Sequence, residues 1–394
     1  MVGKNVQIGD FIAYIYLILV SVNYGFINTD FEIRGAFSTV LTIGEVILFV
    51  VWLFSQRFSA KWLVGIAALG AISISTYIAT SETVFLIMIL TGVIFSKLDY
   101  VNGLKVVFVS RIFDFVVILF CVAFGVLDVN KESVMKGQLG DSFTVVSGYG
   151  LGYHHPNQLA STVLLLILLY MCIKRGQLKL SELFAVIVVV FATVEITRNR
   201  TITVLIPLEV VLLLLLNSTQ FKNKAQLMFD VVGKWVMPVC ALLSIVPALL
   251  MNTVTGRAQV ILYNINGLMG SRYTHSARVF ENYPVPLFGG ILDFDELEDL
   301  YKYSTVDNGY VRLLYNFGIV GFAVFLLLYW MAISNMIKRK EYIFLSFIFI
   351  VSIWGLSESI LRSFAFNFTV VFWAEILRRN SSEVSRTEVK KEVA

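Results

Sequence analysis

A chain of 394 residues that is 58% hydrophobic and 15% charged, with a mean hydropathy of +0.80, lies outside the composition of a water-soluble domain and reads as an integral membrane protein. Its net charge of +4 gathers in short runs between apolar stretches and reflects membrane topology rather than nucleic-acid binding. Cys121, Cys172 and Cys240 all lie inside apolar segments, which excludes a disulfide framework and a thiolate zinc site.

The apolar stretches run about 17 to 25 residues, the length of a helix crossing a hydrocarbon core, and lack the alternation of a membrane barrel. The expected fold is all-α, a polytopic membrane protein with one transmembrane domain over 1–394. The first segment, "FIAYIYLILVSVNYGF", follows a single lysine without a small-residue cleavage site, so it reads as a retained helix rather than a signal peptide. Twelve spans are expected, beginning near residues 11, 36, 62, 83, 106, 158, 182, 201, 235, 309, 342 and 364. The sixth, eighth and twelfth look short. Lys and Arg concentrate in every second connection, "SQRFSAK", "SKLDYVNGLK", "IKRGQLK", "NSTQFKNK" and "NMIKRKE", and the tail 378–394 falls on the same side. The positive-inside rule then expects both termini in the cytoplasm. The opposite side carries short links such as "TSE" and two long segments, 128–157 and 253–308, which alone offer room for a water-facing site. No internal repeat is visible, which weighs against transporter folds built from duplicated halves.

The residues with chemical potential cluster in and near those long segments. In "SGYGLGYHHPNQLAS", Pro156 suits the first turn of a helix, with Asn or His as its boundary residue. His154 and His155 are adjacent on an extended stretch and point to opposite sides, which argues against a shared metal ion. "EITRNRTIT" puts Arg198 and Arg200 in a tight outer connection, against the positive-inside bias. Arginines at helix ends snorkel to headgroups; the other reading is a clamp for phosphate or pyrophosphate, whose oxygens a guanidinium fork pairs bidentately. "GSRYTHSARVFENYPVPLFGG" spaces Arg272, His275 and Arg278 three apart, on one broad face if helical. Pro284, Pro286, Gly289 and Gly290 then mark the end of that helix and a turn.

In "TVDNGYVRLLYNFGIVGF", Asp307 and Asn308 are ordinary N-cap residues, but the carboxylate faces the same side as the anomalous arginines and there can serve as general base for a hydroxyl. The run "DFDELED" contains an Asp-x-Asp, yet a cluster of acids in a loop reads first as solvated surface. Ionisable residues inside expected spans are Glu45, Arg111, Asp114, Glu195, Glu209, Glu358 and Glu375, of the kind that faces a bundle interior. Arg111 and Asp114 have the spacing to pair. Such a set also fits a proton-coupled transporter.

Together these residues resemble the Wzy-type polysaccharide polymerases, relatives of the O-antigen ligases among the GT-C-like, lipid-dependent glycosyltransferases. The arginine connection is similar to the family's Ser-Arg motif, with Arg200 at the arginine and Asn199 in place of serine. The "GSRYTHSARVFENYPVPLFGG" block resembles the family's pattern of Gly-Arg, short helix, Pro and Gly, with Arg272 on the second arginine. Asp307 and Asn308, then nine residues, then Gly318 and Gly321, resemble the ligases' His-Asn motif in the Asp-Asn form of capsular polymerases. "GYHHPN" resembles the capsular branch's His-Pro-Asn.

The resemblance covers about residues 145 to 325 and implies a multi-pass protein of the bacterial cytoplasmic membrane that polymerises a capsule or exopolysaccharide. At the outer face, the growing glycan would pass from undecaprenyl pyrophosphate to a hydroxyl of an incoming lipid-linked repeat unit. It implies Arg200 and Arg272, with Arg198 in support, on the pyrophosphate and Asp307 as base. His154, His155, Asn157, Asn308, Tyr310, His275 and Arg278 would line the sugar site, His155 as a wall of the cleft. No cofactor is implied, with a divalent metal left open. The implied partners are the lipid-linked oligosaccharide, membrane lipid, a flippase and a chain-length regulator, with no nucleic acid. An O-antigen-type ligase and a flippase or transporter for lipid-linked oligosaccharide are the alternatives.

Overall fold

A backbone N–H or C=O in an apolar medium has no water to bind, so an apolar stretch closes its hydrogen bonds within a helix. The computed structural model of the protein describes residues 8–26, 28, 29, 31, 36–137, 143–301 and 305–378, and follows that rule through most of them. The chain opens with α1 (Ile8–Gly25), α2 (Ala36–Ser55), α3 (Ala60–Thr80), α4 (Val84–Phe95) and α5 (Tyr100–Ala123). A hairpin of β1 (Lys131–Gly137) and β2 (Phe143–Tyr149) follows, antiparallel with Lys131 opposite Tyr149. Then come α6 (Pro156–Ile173), α7 (Leu180–Thr197), α8 (Thr201–Asn217), α9 (Lys222–Val232) and α10 (Val236–Leu250). The long segment 253–308 holds α11 (Gly256–Leu268), α12 (Arg272–Asn282) and α13 (Phe294–Tyr301), and α14 (Gly309–Arg339), α15 (Tyr342–Trp354) and α16 (Ala374–Leu377) complete the chain. Of the expected tail 378–394, only Arg378 lies within the described residues.

The protein is therefore an all-α, membrane-embedded, multi-pass bundle. Among the described residues, 8 helices are long and apolar enough to cross a membrane: α1, α2, α3, α5, α6, α7, the continuous run through α9 and α10, and α14. Four shorter apolar helices, α4, α8, α15 and the run Phe368–Leu377, complete the bundle. The expectation of a short sixth segment is corrected, since α6 has 18 residues. The short ones are the fourth, eighth, eleventh and twelfth. Their lengths have a physical reason: α4 and α15 are buried nearly all round, so neighbouring helices rather than lipid meet their flanks. In α6, 72% of the apolar window is buried inside the protein, against 17% in α2 and α7, which present their apolar faces outward.

The hairpin inside 128–157 departs from the all-α expectation. A two-stranded ribbon is marginal alone, and this one leans on the bundle: a Cβ at Gly148 would lie 2.8 Å from the Thr197 carbonyl that ends α7. A bridge between Thr29 and Tyr153 ties its exit to the end of α1.

The connections sort to two ends of the bundle. At one end the Lys97 ammonium donates to the Arg57 carbonyl at 3.2 Å, Arg378 donates to the Phe95 and Leu98 carbonyls, and the Tyr342 hydroxyl donates to Asp230 at 2.8 Å. This end gathers the Lys/Arg-rich turns. The other end gathers both long segments, and there Arg362 pairs with Glu82 at 3.2 Å.

One interruption fixes the long segment to that second end. Inside α14, Gly318 adopts φ 69° and ψ 177°, a conformation open essentially to glycine, and the helix breaks there. The freed backbone groups are taken up by the turn "PVPLFGG". The Ile319 and Val320 amides donate to the Pro286 and Leu287 carbonyls at 2.9 and 3.0 Å, and the Gly290 amide donates to the Tyr315 carbonyl at 2.9 Å. A Cβ on Gly318 would sit 2.2 Å from the Gly289 nitrogen, and one on Gly289 would sit 2.5 Å from the Asn316 carbonyl oxygen. The Pro/Gly turn and the broken helix are thus two halves of one lock.

Gly318→Ala should destabilise the protein by several kcal/mol, because left-handed strain alone costs about 1–3 kcal/mol and backbone stands where the methyl must go. Gly70→Ala, whose Cβ meets nothing within 4 Å, should stay within about 1 kcal/mol of wild type. Thermal midpoints of the detergent-solubilised variants test this, and equal midpoints would refute the lock.

Candidate functional site

The site forms where four distant segments meet at the end of the bundle that carries the long loops. The first is the start of α6. Its N-cap is His155, whose Nδ1 accepts from the Asn157 amide at 3.0 Å while Gln158 Oε1 accepts from the His155 amide at 3.2 Å, a reciprocal capping box. With Nδ1 accepting, the proton sits on Nε2, which donates to Glu132 on β1 at 3.0 Å. His154 is exposed and His155 half-buried, so the two histidines stand in different surroundings.

The second segment is the connection between α7 and α8. Asn199 is buried and its Oδ1 accepts from the Thr201 and Ile202 amides at 2.8 and 3.4 Å, capping α8. Asn is among the preferred helix-capping residues, as Ser is. The larger amide adds a donor: Nδ2 reaches Asn157 Oδ1 at 2.9 Å, and the side chain lies close enough to Glu358 to favour its charged form. Arg198, left-handed at φ 59°, turns toward Glu195 and pairs with it. Arg200 is exposed and enters no ion pair among the described residues.

The third segment is α12. Gly270 and Ser271 both lie at positive φ, 65° and 63°, reversing the chain out of α11 so that Arg272 becomes the first helical residue. Asn266 Oδ1 accepts from the Tyr273 and Thr274 amides at 2.9 and 3.2 Å, capping the new helix from the old one. Arg272 Nη1 donates to the Met269 carbonyl at 2.7 Å, and Nη2 donates to Glu358 at 3.3 Å. Its Nε–H is buried with no hydrogen-bond partner. His275 and Arg278 share the same face, with Arg278 Nη1 3.5 Å from His275 Nδ1 and its guanidinium over the Tyr301 ring at 4.7 Å.

The fourth is the entry to α14 with the connection beyond α15. Asn308 is fully buried; its Oδ1 accepts from the Val311 amide at 3.2 Å and from the Ser244 hydroxyl, so it caps α14 and pins it to α10. Tyr310 is also fully buried, its hydroxyl donating to the Ser352 carbonyl at 2.9 Å. Both side chains belong to the packing beneath the site. Asp307 is partly exposed and faces Glu358 and His275 closely enough to favour protonation of each.

Glu358 joins all four segments. The expectation that it lies within a span is corrected: α15 ends at Trp354, and Glu358 stands in the connection past it. Burial pushes its carboxyl above the usual carboxylate range; the Arg272 guanidinium opposes that, Asp307 adds to it, and the nearby Asn199 side chain opposes it. Asn157, Asn199, Glu358 and Arg272 thus form one linked row with Asp307 beside it. Sequence reasoning also passed over a neighbouring charged group. Arg362, Glu82 and the half-buried Arg312 interact electrostatically, with Arg312 over the Phe294 ring at 4.3 Å and Asn316 donating to Glu82 at 2.7 Å. The i, i+4 spacing of Asn308 and Arg312 was the available signal.

The arrangement can hold an anion and move a proton. Arg272 supplies a guanidinium with an unused buried Nε–H, and the exposed Arg200 follows Asn199 in the chain; Glu358 supplies a buried carboxyl whose proton affinity is raised, with the partly exposed Asp307 carboxylate beside it. Comparison with protein-family models, curated proteins and solved structures finds no match to this chain.

Burial pulls the His275 imidazole down to about 4, with Arg278 and Arg272 acting in the same sense and Asp307 against them. A depressed folded pKa means stability present above the ordinary value of about 6.5 that is lost as pH falls from there through the folded value. The thermal midpoint of wild type should therefore drop more steeply between pH 6.5 and 4 than that of His275→Gln. Parallel curves would contradict an uncharged, buried His275.

Proposed function

We propose that this protein is a membrane glycosyltransferase that polymerises lipid-linked oligosaccharide repeat units, transferring the growing glycan from a polyprenyl pyrophosphate to a hydroxyl of the incoming unit. The observation that carries the reading is the linked row of Asn157, Asn199, Glu358 and Arg272, assembled from segments that the sequence holds far apart. In this reading the twelve apolar helical segments all cross the membrane, the Lys/Arg-rich end is cytoplasmic by the positive-inside rule, and the row lies at the outer face.

Pyrophosphate is already a good leaving group, so the reaction needs cations against its growing negative charge more than an acid to protonate it. Arg272 and Arg200 fill that role. The acceptor oxygen bonds to the anomeric carbon as the bond from that carbon to pyrophosphate breaks, and the leaving pyrophosphate keeps the electron pair. The acceptor proton passes to a carboxylate. Two carboxylates stand ready: Asp307, expected from the sequence, and Glu358, held by Arg272. When Arg272 turns its donors to pyrophosphate, Glu358 loses the pairing that restrains its proton affinity and becomes the stronger base. In this reading His155, two residues before Asn157, and Arg278, on the same helix as Arg272, line the sugar path.

Purified protein given a synthetic lipid-linked repeat unit should produce a ladder of polymers. Arg272→Ala and Arg200→Ala should each lower the rate by about 100-fold or more, the scale of losing one preorganised donor, and Arg272→Lys should recover little because lysine lacks the fork. Glu358→Gln and Asp307→Asn should each impair polymerisation while leaving the protein folded. A single transfer to a different acceptor would indicate a ligase, transbilayer movement without glycosidic bond formation would indicate a flippase, and full activity in both arginine variants would overturn the assignment.

A further inference from the structure

A second site lies at the opposite, Lys/Arg-rich end, independent of the proposed chemistry. A cleft of about 710 Å³ opens between the α2–α3 turn, the α4–α5 turn, the end of α14 and the end of α16. Four of its lining residues are cationic, Arg57, Lys97, Arg339 and Arg378, and one, Asp99, is acidic. Asp99 is already employed in capping α5, where it accepts from the Asn102 amide at 3.0 Å.

The cationic wall is built rather than incidental. The Glu375 carboxylate, almost wholly buried, holds Arg339 at 2.8 Å and Arg378 at 3.6 Å, and accepts from the Tyr100 hydroxyl at 2.6 Å. The Arg378 guanidinium lies over the Tyr100 ring at 3.6 Å. On the facing side the Lys97 ammonium is fixed over the Phe58 ring at 4.7 Å and against the Arg57 carbonyl. Arg57 itself is exposed and enters no ion pair among the described residues. Glu375 and Asp99 together balance two of the four cations, and the cleft keeps a positive excess.

The remaining lining is Ser59 and Ser96 together with an apolar group of Phe58, Trp62, Leu98 and Leu377. The two helices joined by its α2–α3 turn bury only 17% and 22% of their apolar windows, and their outward faces show Phe54 and Val64 at 87% and 70% exposure. A cationic pocket that runs into an apolar outer surface, with a tryptophan at the boundary, matches the junction of headgroup and acyl chain. A freely soluble phosphate would have no use for that apolar margin.

We propose that this cleft binds the phosphodiester headgroup of an acidic phospholipid at the Lys/Arg-rich end of the bundle, with the acyl chains lying along α2 and α3. Full-length protein in detergent, titrated with phosphatidylglycerol and followed by native mass spectrometry, tests it. Wild type should retain phosphatidylglycerol in preference to phosphatidylcholine. Arg57→Ala should weaken retention about fivefold, the change that one surface cation contributes toward an anionic lipid. Lys97→Gln should do the same, and Lys224→Gln, an exposed cation of α9 outside the cleft, should change nothing. Unaltered phosphatidylglycerol binding in both cleft variants would overturn the proposal, as would displacement of the lipid by glycerol phosphate at equal concentration, which would assign the cleft to a soluble phosphate.

Discussion

A polar group set among apolar helices must find a partner within the protein, because no water is there to replace one. The break in α14 shows how much follows from that constraint. Gly318 frees amides and a carbonyl in the middle of an apolar helix, and the "PVPLFGG" turn answers with two carbonyls and an amide. That exchange anchors the loop 253–308 to the bundle. It also holds the end of α12, since the Tyr315 hydroxyl, beside the break, donates to the Tyr283 carbonyl just past α12 at 2.8 Å.

The same constraint organises the charged row. Glu358 is buried and needs counterparts; it receives Arg272 from α12 and the amide of Asn199 from the α7–α8 connection. Each partner is itself secured by backbone bonds: Arg272 by the Met269 carbonyl, Asn199 by the first amides of α8. Donors and acceptors fixed in this way need little reorganisation when charge moves, which is the condition for electrostatic stabilisation of a transition state. The two ends of the bundle differ in the same currency. At the far end Glu375 gathers Arg339 and Arg378 into a wall, with Arg57 and Lys97 facing it across a cleft.

Much of the candidate site could be read from residue order because helix boundaries obey local rules. Pro156 after His155, Asn308 before Gly309 and the three-residue spacing of Arg272, His275 and Arg278 are local signals, and each became a helix start or a helix face. Other features gave no local signal. Glu358 reads as an acid inside an apolar run, since nothing nearby in sequence reveals that α15 stops at Trp354 and leaves it in a connection. The resemblance puts Asn308 and Tyr310 on the lining of a sugar site, yet the fold buries both. The hairpin has too few residues for its alternation to stand out, and it leans on α7, which is remote in sequence.

The sequence by itself determined the class of protein, the all-α bundle, the positions of several of its helix caps, and the segregation of Lys and Arg to one set of connections. Those properties depend on composition and on interactions within a few residues along the chain. Only the tertiary structure decided which apolar helices are enclosed and which face outward, because both kinds carry the same uniform hydrophobicity. It alone decided which buried charges meet. Glu358 is 86 residues from Arg272 along the chain, and their pairing exists only because distant segments end at the same depth, where a buried carboxyl and a half-buried guanidinium meet away from water.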